Sequence, residues 1–206
     1  MKILKYIGIA IVALIALVLI VAAVAPKDFS IQRSVTISKP KPEVFAYAKM
    51  LKNQDSYSYW AKLDPNMKKE FRGEDGTVGF TSAWEGNKDV GQGEQEIKNI
   101  TEGEKIDYEV RFKKPFESTM ASYMSTEAEG ENATKVTWGM NGSTPYPMNI
   151  MHLFMNMDKM LGSQLQTGLD NMKANVEAMP SPTMVAQTET PAATTDTTKT
   201  TQPKIQ

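Results

Sequence analysis

The sequence predicts an α+β fold in which a seven-stranded antiparallel sheet is covered by one long C-terminal helix, with a separate membrane-spanning helix at the N-terminus. Three observations indicate this fold. Residues 6–25 form an apolar run without a charge, residues 67–141 alternate apolar and polar side chains, and residues 149–178 repeat apolar side chains every three or four positions. Alternation is typical of half-buried strands, and the longer spacing is typical of an amphipathic helix.

The first element is the apolar run of residues 6–25, YIGIAIVALIALVLIVAAVA. At about 1.5 Å per residue, a run of this length spans the roughly 30 Å hydrocarbon core of a bilayer. No second run of comparable length follows, so we expect a single pass. Lys2 and Lys5 precede the run, and the charges directly after it cancel. The positive-inside rule then places residues 1–5 in the cytoplasm and the rest of the chain outside it.

A cleaved signal peptide is the alternative interpretation of this run. Two segments, Val21-Ala22-Ala23 and Ala23-Val24-Ala25, offer small residues at a cleavage position. Two features favour an anchor instead. The run is longer than the roughly 7 to 15 apolar residues of a signal peptide, and Pro26 directly after the second site disfavours cleavage there. We therefore expect a retained single-pass anchor.

The composition of the remaining chain excludes several kinds of site. The chain has no cysteine, which rules out disulfides, thiolate metal sites and a thiol nucleophile. The 23 basic and 24 acidic residues nearly cancel, so no basic field attracts nucleic acid. Residues 29–179 have the size of one domain. Residues 180–206 are rich in Pro, Thr, Ala and Gln, and we expect them to be a disordered tail.

The domain opens with a strand and a short helix. The segment FSIQRSVTI alternates, and Arg33 interrupts its apolar face. A helix is predicted from Pro42, because proline is favoured in a first helical turn. An irregular or helical stretch around residues 57–60 follows it. The apolar face of the first strand consists of Phe29, Ile31, Val35 and Ile37.

Six further strands are predicted within residues 67–141, separated by five turn signals. Their alternate side chains are mostly charged or hydroxylic, so we expect an antiparallel sheet with one wet face and one covered face. The turn signals lie at 73–76, 85–88, 101–104, 114–115 and 130–132. The covered face consists of Phe80, Trp84, Ile106, Tyr108, Val110, Phe112, Met120, Met124, Val136, Trp138 and Met140.

The last ordered element is predicted to be one amphipathic helix over residues 149–178. At the standard rise this helix is roughly 45 Å long, enough to lie across a strongly curved sheet. Its apolar stripe is Ile150, Leu153, Phe154, Met157, Leu161, Leu165, Leu169, Met172 and Val176.

These residues resemble the START-like or polyketide cyclase-like (SRPBCC) superfamily. The resemblance covers residues 29–179 and rests on SVTISKPKPEVFAYA leading to Trp60, the strands VGQGEQEI and TKVTWGMNG, and the closing helix DKMLGSQLQTGLDNMKANVE. It implies a helix-grip fold, in which the sheet curls around the C-terminal helix and a deep apolar cavity lies between them. The superfamily includes lipid-transfer domains, hormone and flavonoid binders, chaperone activators and polyketide cyclases, so the fold does not fix a function.

No set of nucleophile, base and orienting group can be assembled from the sequence. His152, the only histidine, has no carboxylate three or four residues later, and we interpret it as a residue at the start of the helix. Glu94 and Glu96 share one strand face, which we interpret as solvent-exposed. No histidine or carboxylate spacing indicates a metal site. We expect neither a metal nor another cofactor, and we favour a binding protein over an enzyme.

Methionines and large aromatic rings are the feature that indicates a binding site. Methionine adapts to varied apolar ligands, and rings with a polar tip suit a ligand with one polar end. A Met-rich core without a pocket is the alternative interpretation. The predicted pocket residues are Trp60, Phe80, Trp84, Tyr108, Met120, Met124, Trp138, Met140, Met151, Phe154 and Met155.

We therefore expect a membrane-anchored domain that binds a hydrophobic small molecule, such as a lipid or an aromatic metabolite. Two alternatives stay open: a cyclase- or dehydratase-like enzyme that uses Tyr108, His152 or a buried acid, and an envelope interaction module whose unidentified protein partner binds the outer surface. Only residues 26–28 separate the apolar run from the first strand. At about 3.5 Å per extended residue, the domain stays within roughly 10 Å of the bilayer.

Overall fold

The computed structural model describes residues 2–180. The predicted tail lies outside the described residues from position 181 onward. In chain order the elements are α1 (Lys2–Val24), β1 (Asp28–Ile37), α2 (Lys41–Lys49), the 3₁₀ helix η1 (Leu51–Asn53), α3 (Gln54–Tyr57), α4 (Tyr59–Leu63), β2 (Lys68–Arg72), β3 (Thr81–Glu85), β4 (Gln92–Thr101), β5 (Lys105–Lys114), β6 (Ser118–Ala128), β7 (Thr134–Ser143), the 3₁₀ helix η2 (Met148–Leu153) and α5 (Met157–Ala178).

The seven strands form one antiparallel sheet in the order β1-β7-β6-β5-β4-β3-β2. The five predicted turn signals fall at or within the connections between β2 and β7. The predicted fold class is confirmed: a seven-stranded antiparallel sheet, a C-terminal helix and an N-terminal apolar helix. Since successive strands from β2 to β7 are neighbours, most pairing is between adjacent segments. Only β1 pairs with a strand distant in sequence.

The core lies between one face of the sheet and α5, and the short helices α2 and α3 close its side. Alternation places Ile106, Tyr108 and Val110 of β5 in the interior, as the sequence pattern predicts. The rest of the buried cluster includes Ile37, Val44, Phe45, Leu51, Tyr57, Phe80, Ile97, Met124, Val136, Trp138, Leu165, Leu169, Met172 and Val176.

The C-terminal helix begins later than predicted. It spans Met157–Ala178, which is about 33 Å at the standard rise, instead of residues 149–178. Asn156 is its N-cap, because the Oδ1 atom of Asn156 accepts a hydrogen bond from the Lys159 backbone N–H at 2.8 Å. The preceding apolar segment forms η2 instead. The hydrophobic spacing runs through both η2 and α5, but the Asn156 cap separates the two helices.

Arg33 interrupts the inner face of β1 because it binds the first turn of α5. Its guanidinium donates to the Asp158 carboxylate at 2.9 and 3.0 Å and to the Asp158 carbonyl oxygen at 3.0 Å. The guanidinium lies against Gly162, where a side chain would collide with it. The other end of the helix is held by Glu177, which accepts the Ser38 backbone N–H at 2.7 Å. The two contacts fix α5 along β1.

Helix α1 is almost entirely exposed except at its last turn. Within residues 2–180, Ile3–Val24 is the one helix long and apolar enough to cross a membrane, with a mean hydropathy of 3.3, and a signal sequence has the same properties. Its end contacts η2 through Asn149, whose Nδ2 donates to the carbonyl oxygens of Ala22 at 2.7 Å and Ala25 at 3.0 Å. These C-terminal carbonyls have no partner inside the helix itself. Asn149 therefore joins α1 to the domain.

Candidate functional site

A cavity of about 150 Å³ lies between the inner face of the sheet, the first turns of α5 and the short helices after α2. It occupies the end of the sheet where β7 ends and β6 begins, since Met140 and Met120 are near those strand ends. The other half of the domain is filled by the packed core. The cavity wall consists of Leu51, Gln54, Asp55, Ser58, Trp60, Ala61, Met67, Lys69, Ser82, Trp84, Val90, Gln95, Val110, Phe112, Met120, Ser122, Trp138, Met140 and Leu161.

Trp138 forms the centre of the aromatic wall. Its ring meets Trp60 edge-on at 6.0 Å between centroids and Tyr57 edge-on at 5.9 Å, geometries that aromatic pairs favour. Gly168 of α5 makes room for the ring, because a Cβ there would lie 2.8 Å from it. The indole N–H donates to the Ser122 Oγ at 3.2 Å. Trp138 is thus fixed from three sides and presents a rigid apolar surface.

A second ring pair closes the opposite side of the cavity. Trp84 meets Phe112 edge-on at 5.7 Å between centroids. The Trp84 ring lies over Gly93 of the neighbouring strand, where a Cβ would be 2.6 Å from the ring. The indole N–H points to the Val90 carbonyl oxygen at 3.4 Å. A glycine on β4 therefore lets Trp84 lie flat along the wall.

The polar residues of the wall include a charged pair that joins α3 to β2. The Lys69 ammonium donates to the Asp55 carboxylate at 2.8 Å, and both residues are partly exposed. Gln54 is buried, and among the described residues its Nε2 has no hydrogen-bond partner. A buried amide without a partner is costly, and an acceptor on a bound molecule would relieve that cost. The cavity wall is therefore mainly apolar, with the Asp55–Lys69 pair and the Gln54 amide among its polar groups.

Five of the predicted pocket residues line this cavity: Trp60, Trp84, Met120, Trp138 and Met140. Three others, Phe80, Tyr108 and Met124, are buried in the adjoining core and are not part of the wall. The remaining three, Met151, Phe154 and Met155, lie outside the cavity and are exposed. They belong to η2 and to the segment before Asn156. In the predicted longer helix, these residues would have packed over the sheet.

Several wall residues were absent from the sequence-based set. Phe112 lies on the predicted covered face of the sheet and Leu161 on the predicted apolar stripe of the C-terminal helix. The sequence pattern could therefore have identified both. Gln54, Asp55 and Lys69 have no such signal, because they come from two short segments that only the tertiary fold brings together. Local spacing does not reveal a site built from distant segments.

The residues suggested for an enzyme lie away from the cavity wall. Tyr108 is buried, and burial raises the pKa of its phenol, as it does for Tyr57. Both phenols therefore stay protonated at neutral pH. His152 lies in η2, where its Nε2 is 2.8 Å from the Thr144 hydroxyl and its ring meets Phe29 edge-on. Residues 2–180 contain no group of His, Cys, Asp and Glu that could hold a metal ion.

Glu94 and Glu96 lie on the outer face within a network of charges. Arg111 bonds both carboxylates, at 2.9 Å to Glu94 and 2.7 Å to Glu96, and it also contacts Glu109. The Lys113 ammonium, with Arg111 and Arg72, lowers the pKa of Glu94 to about 2. The pKa of Glu96 is lowered mainly by Arg111. The two glutamates are ionised structural partners of basic residues on neighbouring strands.

Solved structures show the same architecture. Ara h 8.0201 matches with a TM-score of 0.51 and 15% identity over 74% of this chain and 99% of that chain. Norcoclaurine synthase from Thalictrum flavum, solved in complex with dopamine and hydroxybenzaldehyde, matches with a TM-score of 0.55 and 11% identity over 79% of this chain and 94% of that chain. A hypothetical protein from Helicobacter pylori matches with a TM-score of 0.55 and 11% identity, over 73% and 89% of the two chains.

The sequence comparisons give no match: no protein-family model and no curated protein matches the chain. At 11–15% identity, the similarity to the solved structures shows the fold alone. The seven-stranded antiparallel sheet and the C-terminal helix match these neighbours. This chain has the helix-grip fold of its Bet v1-like structural neighbours.

Proposed function

We propose that this protein is a single-pass membrane protein whose extracytoplasmic domain binds a hydrophobic small molecule in the cavity. The observation that supports this most is an unfilled cavity of about 150 Å³ with two ring pairs in its wall. Cores are normally packed without voids of this size, so the space has a cost in stability. A bound apolar group would offset that cost.

The size of the cavity limits the ligand class. An apolar cavity of about 150 Å³ accommodates a group of roughly the size of benzene. We propose a ligand with one aromatic ring or a short alkyl end inside the cavity and a polar end at Asp55 and Lys69. Burial of about 200 Å² of apolar ligand surface contributes about 5 kcal/mol before the costs of binding. Such a ligand would bind with moderate affinity.

A cyclase- or dehydratase-like enzyme is the second candidate function. The observation that favours it is the Asp55–Lys69 pair, which places an acid and a base at the wall of an apolar cavity. Conversion of a bound aromatic compound, lost in Lys69→Met but not in Lys52→Met, would support this candidate. The interaction-module alternative has less support, because a space filled by side chains would favour it and this cavity is unfilled.

Tryptophan fluorescence gives a direct test of ligand binding. The chain has three tryptophans, Trp60, Trp84 and Trp138, and all three line the cavity. Titration of the full chain in detergent micelles with a panel of single-ring aromatics and medium-chain fatty acids should change the emission in a saturable way for at least one compound. No saturable change with any compound of the panel would contradict the proposal.

Two neighbouring residues of α5 provide matched variants for this titration. Leu161 lines the cavity, whereas Met160 is exposed and does not. Leu161→Phe fills part of the space and should weaken binding at least tenfold, about 1.4 kcal/mol. Met160→Phe should bind like the unmodified protein. Equal affinities in both variants would place the binding site elsewhere.

A further inference from the structure

The end of α1 packs against the 3₁₀ helix η2. Ala22 and Ala25 are buried against η2, and the Asn149 amide bonds both of their carbonyl oxygens. Asn149 is itself buried. If α1 crosses the bilayer up to Val24, this contact fixes η2 at the boundary between hydrocarbon and headgroups.

The side chains that η2 and its flanks turn outward are apolar. Phe154 is 83% exposed and Leu153 is 51% exposed, and Tyr146, Met148 and Met151 are exposed beside them. Large apolar side chains scattered singly are normal on a protein surface, but this group falls within residues 146–154 and borders the end of α1. Amphipathic segments that lie in a membrane interface present such residues to the lipid.

A connection between two strands adds one more exposed apolar side chain at this end of the domain. Phe116, in the β5–β6 connection, is 75% exposed. The pairing registers place the end of β5 and the start of β6 at the end of the sheet where β1 begins and β7 ends, which is where α1 enters and η2 leaves. Phe116 and the exposed residues of 146–154 therefore belong to one end of the domain, which we call the apolar edge.

The cavity occupies this same half of the domain. Trp84 lies near the end of β3, Phe112 near the end of β5, and Leu161 in the first turns of α5. These positions all face the end of the sheet that carries the apolar edge. The side of the domain nearest to α1 is thus hollow, whereas the opposite side is packed.

We propose that the apolar edge inserts into the interface of the lipid bilayer beside α1, so that the hollow end of the domain rests on the membrane. This proposal rests on the proposed function, because it needs α1 to be a membrane anchor. The charges near this edge are mixed, with Lys27 and Lys114 against Asp28 and Glu117. Burial of apolar side chains, rather than attraction to anionic lipid, holds the edge in place.

Site-directed spin labelling tests the contact in the full chain, which has no native cysteine to remove. Single-cysteine variants labelled with a nitroxide are reconstituted in phosphatidylcholine vesicles. Collision with oxygen, which partitions into lipid, is compared with collision with a water-soluble nickel chelate. Phe154→Cys and Phe116→Cys report the apolar edge. Val78→Cys, an exposed apolar position in the β2–β3 loop at the opposite end of the domain, is the matched control.

The oxygen-to-nickel collision ratio should be several-fold higher at positions 154 and 116 than at 78. The ratio should not change when one third of the phosphatidylcholine is replaced by phosphatidylglycerol. A label at Leu14→Cys, in the middle of α1, reports the anchor separately. A lipid-exposed label at 14 with water-exposed labels at 154 and 116 would overturn this proposal alone. A water-exposed label at 14 would overturn the anchor and this proposal with it.

Two further outcomes count against the proposal. A raised ratio at 154 only in vesicles with phosphatidylglycerol would mean electrostatic attachment. Immobile labels at 154 and 116 that neither oxygen nor nickel reaches would mean that a protein surface, such as a second copy of the chain, covers the edge.

Discussion

At the scale of single residues, Trp138 depends on a glycine of the helix that packs against it. Gly168 lies on α5 where a Cβ would be 2.8 Å from the Trp138 ring, and that ring in turn contacts Trp60 and Tyr57. Glycine in a helix interior is normally destabilising by about 1 kcal/mol relative to alanine. At this position it is retained because the ring occupies the space that a methyl group would fill.

We expect Gly168→Ala to destabilise the domain by about 1–3 kcal/mol because of the steric overlap. Helix propensity alone would predict the opposite, a gain in stability. The added methyl group pushes the Trp138 ring toward the cavity and should also weaken ligand binding. Urea unfolding followed by circular dichroism measures the change. Thr167→Ala, at the exposed neighbouring position, should be neutral or slightly stabilising. Stabilisation by Gly168→Ala would contradict the packing described for Trp138.

Asn149 and Asn156 show why the sequence pattern misplaced the start of the C-terminal helix. Apolar spacing runs through residues 149–178, and the spacing alone predicts one helix. Asn149 bonds the end of α1, and Asn156 caps α5, so the segment between them leaves the sheet and becomes exposed. The sequence offers Asn156 as a helix cap, because asparagine is favoured at that position. It does not reveal the partner of Asn149, which lies more than 120 residues away.

At the scale of the elements, strand alternation and turn composition predicted the sheet well. Each turn signal is local, and each strand from β3 to β7 pairs with its predecessor, so local patterns determine the topology. The same patterns placed Trp84, Met120, Trp138 and Met140 on the inner face. They did not distinguish cavity wall from filled core, because both demand apolar side chains. Phe80, Tyr108 and Met124 illustrate that limit.

The outer face of β4 and β5 gives a prediction about pH. Lys113, Arg111 and Arg72 lower the pKa of Glu94 to about 2, and Arg111 lowers that of Glu96. A carboxylate whose pKa is lower in the folded than in the unfolded state stabilises the fold above its unfolded pKa of about 4.3. That stabilisation is lost as the pH falls from about 4.3 through about 2.

We therefore expect the free energy of unfolding to fall between pH 6 and pH 3, and Glu94→Gln to reduce that fall by about 1 kcal/mol, the size typical of partly exposed pairs. Urea titrations at both pH values measure it. Glu131→Gln, at an exposed position in the β6–β7 turn, is the control and should leave the pH dependence unchanged. An identical pH dependence in Glu94→Gln would mean that the network does not stabilise the fold.

At the scale of the whole molecule, the hollow half of the domain and the apolar helix α1 lie at one end. Asn149 joins the two through its bonds to the end of α1, and residues 26–28 leave little free chain between them. If α1 is a membrane anchor, as we propose, a domain held in this way stays at the membrane surface. This position favours a ligand that partitions into lipid.

The orientation of the molecule gives a further prediction. If residues 1–5 are cytoplasmic, a membrane-impermeant maleimide should label Val78→Cys in intact cells and should label Lys5→Cys only after lysis. The cysteine-free chain provides the unlabelled control. Labelling of Lys5→Cys but not of Val78→Cys in intact cells would reverse the topology. A mature chain that lacks position 5 would identify a cleaved signal sequence.

Native mass spectrometry of the full chain, released from detergent micelles after purification from membranes, tests the central claim most directly. We predict a fraction of molecules heavier than the polypeptide by the mass of one small molecule. That fraction should be absent in Leu161→Phe, which fills the cavity, and present in Met160→Phe. A polypeptide without added mass, both as purified and after incubation with membrane lipid extract, would contradict ligand binding in the cavity.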